Sequence, residues 1–179
     1  MALMSRNWYA ALALALAMPD ICGSCEDPGP GKVRKRYIRW CRKWLEPIYT
    51  AVNKANPQDR VVWLTAEECY ALRCSVIHEG SSKFPPHSRF KRAIFVDPSA
   101  GTHMSHILDE VLVLSVDHFC EDMFMAAQQW DHAMQKNEAV QRELKRMLQV
   151  RYDYPSVFEF VDPSKLRPPP SALGRQGLQ

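Results

Sequence analysis

Over much of the chain apolar residues recur three and four positions apart, the spacing that lines one face of an α-helix. Ser5 to Met18 consists of good helix formers, and Pro19, which has no amide hydrogen to donate, predicts the end of that helix. Gly23 to Gly31, rich in Gly and Pro, predicts a loop. Val33, Tyr37, Trp40, Cys41, Trp44 and Ile48 then form an apolar stripe, with Arg34, Lys35, Arg36, Arg39, Arg42 and Lys43 largely off it, and Pro47 bends or ends the helix. After a connection over Asn53 to Arg60, Thr65 and Glu68 make a capping box, hydroxyl and carboxylate each taking an amide hydrogen that the first turn leaves unpaired. This helix is expected to run to Glu79, where Gly80 supplies a left-handed stop.

Between Arg92 and Leu114 the period changes. Ala93 to Val96 and Val111 to Leu114 are short apolar runs around a turn-rich Asp97 to Gly101, which predicts a small β element. Ser115 is placed to cap a long final helix reaching Val150, with Asp117, Glu121 and Asp122 near its positive end. Val116, Phe119, Cys120, Met123, Ala127, Trp130 and Met134 form its buried stripe. The expected fold is mainly α, an up-and-down helical bundle with a small β-hairpin insertion around residues 92–114. Residues 163–179, with Pro163, Pro168, Pro169 and Pro170, read as a disordered or extended tail, leaving 1–162 as the helical domain.

Composition adds bounds to this pattern. A chain of 179 residues, 46% hydrophobic and 24% charged, suits one globular domain. The net charge of +3 is modest, but seven Lys or Arg fall between Lys32 and Lys43. Six cysteines in a core-rich chain read as reduced thiols rather than a disulfide framework. Tyr9 to Met18 imitates a signal peptide only loosely, being short and half alanine, and no segment reads as a membrane span, so a cytoplasmic protein is expected.

The chemistry concentrates in Arg73-Cys74-Ser75-Val76-Ile77-His78, on a helix that is apolar around most of its circumference. Arg73, His78 and Glu79 are therefore polar groups that need partners or a site opening. An imidazole moves protons near neutral pH, and a guanidinium holds a fixed charge that binds phosphate bidentately, which together suit metal-free RNA cleavage. Five positions apart, the two side chains start roughly 140° apart around the helix and have to converge near its end. The bland alternative is an ion pair of Arg73 with Glu79 or another carboxylate, and a helix-end hydrogen bond from His78.

This stretch resembles the arginine, four residues, histidine motif of the HEPN superfamily, helical-bundle proteins that include many metal-independent ribonucleases of toxin–antitoxin and antiviral systems. Leu72 before it and Glu79-Gly80 after it are similar to bacterial members. Pro19-Asp20-Ile21-Cys22-Gly23 and Phe119-Cys120-Glu121-Asp122 resemble an uncharacterised bacterial subset. The resemblance implies an endoribonuclease with Arg73 and His78 catalytic, Ser75 and Glu79 supporting, no cofactor or metal, and a homodimer whose two motifs line one cleft. Its implied partners are RNA and an antitoxin or nucleotidyltransferase. Cys74 departs from the polar residue many such nucleases place after the arginine. A non-catalytic module of the same kind, binding nucleotide, RNA or a partner protein, is the rival expectation, and a structural dimerisation protein a third.

Other constellations carry less. Arg36, Arg39 and Lys43 are expected to guide RNA, while Tyr37, Trp40 and Trp44 beside them read as core. Cys22-Gly23-Ser24-Cys25 has redox or zinc spacing without the strand or second pair such sites need, and Cys69 and Cys74 read as core cysteines. His103, His106 and Asp109 read as surface residues.

Overall fold

The computed structural model describes residues 5–52, 59–103, 105–107 and 110–147, and all of the following belongs to the compact unit Met1–Arg146. The proline-rich stretch 163–179 lies outside the described residues. The protein is mainly helical: α1 (Trp8–Glu26), α2 (Val33–Trp40), α3 (Ala66–Glu79), α4 (Val116–Met134) and α5 (Glu138–Arg146), joined by short strands.

The first helix departs from expectation. Asn7 caps it by accepting from the Ala10 amide, so it begins at Trp8, and it continues through Pro19 to Glu26. An interior proline costs roughly 3 kcal/mol. Burial offsets that: Leu12, Ala15 and Leu16 before the proline and Cys22, Gly23 and Cys25 after it are all buried, and a buried aliphatic chain is worth roughly 1.5–3 kcal/mol. The helix packs against all four others. Gly23 makes the close approach to α2, since a Cβ there would come within 3.3 Å of the Arg36 backbone carbonyl. By length and composition α1 could cross a membrane, contrary to the reading above, but 44% of the qualifying window is buried inside the protein.

In α2, Tyr37 and Trp40 are buried as core, and the Tyr37 hydroxyl donates to the Leu16 carbonyl at 3.1 Å, whereas Val33 is exposed. The chain then widens into a π-helical turn, Cys41–Leu45, closed by the Glu46 amide on the Cys41 carbonyl, ahead of Pro47. Strands β1 (Thr50–Val52) and β2 (Arg60–Val62) pair antiparallel.

Helix α3 has the predicted ends. The Thr65–Glu68 capping box is formed, and Gly80 closes the helix at φ 60°. Glu68 is buried and also grips Arg89, whose Nε and Nη2 donate to its two oxygens at 2.8 and 2.7 Å.

Residues 92–115 correct the simple hairpin. Strand β5 (Val111–Ser115) is central and wholly buried; β4 (Ser105–Ile107) lies antiparallel to it and β3 (Arg92–Val96) parallel on the other edge. A strand covered on both faces reads as the continuous apolar run seen at Val111 to Leu114. Strand β5 passes directly into α4, with Ser115 ending one and flanking the other. The predicted stripe of α4 is buried from Val116 to Trp130. The helix stops at Met134, short of the expected Val150, because Asn137 caps α5 by accepting from the Ala139 and Val140 amides.

Although burial opposes its ionised form, hydrogen bonds from Arg89 and Thr65 hold the Glu68 carboxyl below its ordinary range. A depressed carboxylate stabilises the fold above its unfolded range and stops doing so as pH falls through the lowered value. Glu68→Gln should cost about 1–3 kcal/mol at neutral pH and should flatten the acid limb of a urea-midpoint-against-pH curve. An unchanged acid limb would show that the clamp does not carry this dependence.

Candidate active site

Arg73 lies on α3 facing α1. Its Nε donates to Asp20 Oδ2 at 2.8 Å, and its Nη2 stands 2.6 Å from the same oxygen. Both side chains are largely buried, 17% and 22% exposed, so solvent screens the pair little. The third nitrogen, Nη1, lies 2.7 Å from His78 Nε2. His78 is exposed in the last turn before Gly80. A histidine side chain leans toward the N-terminus of its helix, and the long arginine spans the remaining gap. Arg73 and His78 thus meet within one chain, with no second copy needed for that contact.

A guanidinium only donates, so in this contact His78 Nε2 is the acceptor and the ring proton sits on Nδ1. Asp20 and His78 engage three of the five N–H donors of Arg73. Partial burial opposes the charge of Arg73, but Asp20, through charge and hydrogen bond, and the Cys74 thiol together raise its pKa, so the cation is firmly held. Burial first, then the nearby Cys74 thiol, pushes the Tyr70 hydroxyl up.

Asp20 is the residue the motif reading missed as a partner. It follows the proline that was expected to end the helix, and only the continuation of α1 brings it to α3. It occupies the carboxylate position that the ion-pair alternative offered to Glu79 or another acid.

The other expected residues divide. Ser75 is buried on a different face of α3, and Glu79, exposed, lines a cavity there with Cys74 and Ser75; neither is placed as a support of the Arg73–His78 pair. Arg36 also has a local partner: its Nη1 donates to the Asp27 and Gly29 carbonyls at 3.1 and 2.6 Å, closing the α1–α2 loop. Arg39 and Lys43 are exposed; Arg39 reaches Asp27 at 3.4 Å, and the Lys43 ammonium sits 4.5 Å from the centre of the Trp44 ring.

All six cysteines are free, and Cys74 alone is not buried. Burial, with Cys25 and Glu26 nearby, pushes the Cys22 thiol to about 12, which leaves the Cys22–Cys25 pair little thiolate for redox or metal chemistry. Among the described residues no group of three or more His, Cys, Asp or Glu is placed to hold a metal ion. His103 is half-buried rather than on the surface: its Nδ1 accepts from the Ser115 amide at 3.1 Å, and Nε2 lies 3.6 Å from Asp122. Asp109 and the His106 side chain lie outside the described residues.

No family profile, curated protein or solved structure matches this chain. The site is therefore argued from its own geometry.

Asp20→Ala and Arg73→Ala should each destabilise the protein by about 1–3 kcal/mol, and the double variant by much less than the sum. Additive losses in urea melts would show that the pair contributes nothing. In native protein at pH 8, iodoacetamide should label Cys74 well before the other five cysteines, read by peptide mass spectrometry; labelling of Cys22 at an equal rate would contradict the burial described.

Proposed function

We propose that this chain is a metal-independent endoribonuclease of the HEPN type, acting as a homodimer, with Arg73 and His78 as its catalytic residues and a toxin or defence role. The observation that carries the reading is the 2.7 Å contact between Arg73 Nη1 and His78 Nε2 at an exposed helix end. Asp20, from a different helix, fixes the guanidinium that makes it.

At rest, Arg73 occupies the lone pair of His78. A phosphodiester draws Nη1 to its own oxygen, because a charged acceptor competes well for a guanidinium donor, and this frees Nε2. The imidazole then takes the proton of the RNA 2′-hydroxyl, and that oxygen attacks the adjacent phosphorus. The bond to the 5′-oxygen breaks, the imidazolium returns the proton to the departing oxygen, and a cyclic phosphate and a 5′-hydroxyl result. Arg73 stabilises the charge that accumulates on the phosphorane.

The Asp20 pair favours a second reading, since a guanidinium already neutralised by a carboxylate also suits a non-catalytic module that binds nucleotide, RNA or a partner protein. Incubation of purified protein with RNA in EDTA separates the two. The nuclease reading expects fragments with cyclic phosphate ends, a loss of about 100-fold or more on His78→Ala or Arg73→Ala, and little rescue by Arg73→Lys, which lacks the planar fork. RNA left intact by the wild-type protein, or cut equally by His78→Ala of unchanged thermal stability, would overturn it.

A further inference from the structure

Two concavities outside the Asp20–Arg73–His78 constellation share a rim. One, of about 590 Å³, runs along the exposed side of α2 and the π-helical turn and is lined by Arg34, Lys35, Arg39, Arg42 and Lys43 with a single carboxylate, Glu67. The other, of about 520 Å³, lies between α3 and the segment that follows it, with Tyr70, Cys74, Ser75 and Phe84 on its wall; Arg34 and Glu67 border both. Glu67 pairs with Arg42, and Asp27 is shared by Arg39 and Lys32. Arg34, Lys35 and Lys43 leave the first trough with an excess of positive charge.

The second cavity differs in chemistry. Ser75 is 5% exposed, and its hydroxyl has no hydrogen-bond partner among the described residues. A buried hydroxyl in that state is unfavourable and accepts or donates to any polar edge that reaches it. The Tyr70 ring lies beneath Arg34, whose Cζ is 6.0 Å from the ring centre. Cys74, on the wall of this cavity, directly follows Arg73 in sequence, so the cavity adjoins the catalytic pair across a single residue of α3.

We propose that the α2 trough carries a phosphodiester backbone and that the Tyr70–Ser75 cavity receives an unpaired base, which makes single-stranded RNA the ligand. Single strands are held by cationic grooves and by bases placed against aromatic rings, whereas a duplex keeps its bases stacked and offers only its backbone. The identity of the nucleic acid as RNA rests on the nuclease reading; the trough and the cavity do not.

The test is fluorescence anisotropy on full-length His78→Ala protein in EDTA, with a short labelled single-stranded RNA and the same sequence as a duplex. The single strand should bind at least about tenfold tighter. The slope of log affinity against log salt should be about −2 to −3 and fall toward zero when Arg34→Glu and Lys43→Glu are combined. Tyr70→Leu should weaken binding about fivefold or more without altering the slope. Tyr70 also packs edge-on to Tyr37, so Ser75→Ala gives an independent reading, expected at about threefold to tenfold. Equal affinity for duplex and single strand, or a slope untouched by the charge reversals, would overturn the proposal while leaving any cleavage by the wild-type protein as evidence for the nuclease. Selective single-strand binding with these variant effects, but no cleavage by the wild-type protein, supports the proposal and ends the nuclease reading.

Discussion

One carboxylate oxygen, Asp20 Oδ2, holds two nitrogens of Arg73 and thereby decides where the third one points. A free arginine has some 2 kcal/mol of rotamer entropy to lose, and without a fixed partner its head group would sample many positions around the end of α3. The pair exists because α1 does not stop at Pro19. Cys22, Gly23 and Cys25 are buried beyond it, and Trp130 of α4 donates to Glu26 at 2.7 Å, tying down the last turn. The geometry of the candidate site is thus a product of helix packing one to two turns away from it.

That origin explains what could be read from the sequence. The bounds of α3 were legible because both are set locally, by the Thr65–Glu68 box and by a glycine at positive φ. The core roles of Tyr37 and Trp40 followed from spacing alone. Asp20 was not legible as a partner, because the rule that a proline ends a helix is local while the burial that overrides it is not. Arg36 looked like its basic neighbours, yet its acceptors are carbonyls of a loop whose path no spacing reveals. The parallel pairing of β3 with β5 was hidden for the same reason, since strand order depends on partners distant in sequence. The stop at Met134 was readable in principle, for Asn137 before Glu138 is a cap signal inside a run of helix formers.

Helix α3 also shows why neighbours in sequence need not share a task. Ser75 is two residues from Arg73, about 200° around the helix, and that rotation places it on the wall of the Tyr70 cavity. The short motif therefore serves two surfaces. Arg73 and His78 meet on one, while Ser75 and Glu79 line the other, and Cys74 stands between them.

The direct passage of β5 into α4 has a consequence for how this protein can vary. A strand alternates its faces every residue, whereas a helix turns by about 100° per residue. With Ser115 shared between the two and its amide held by His103, no loop stands between them to absorb a mismatch. One residue gained or lost at this joint would either slip β5 against β3 and β4 or rotate the buried face of α4, pulling Phe119 from Phe95 and Trp130 from Glu26 of α1. Side chains here can be exchanged for others of similar bulk, but the count of residues is gear-locked.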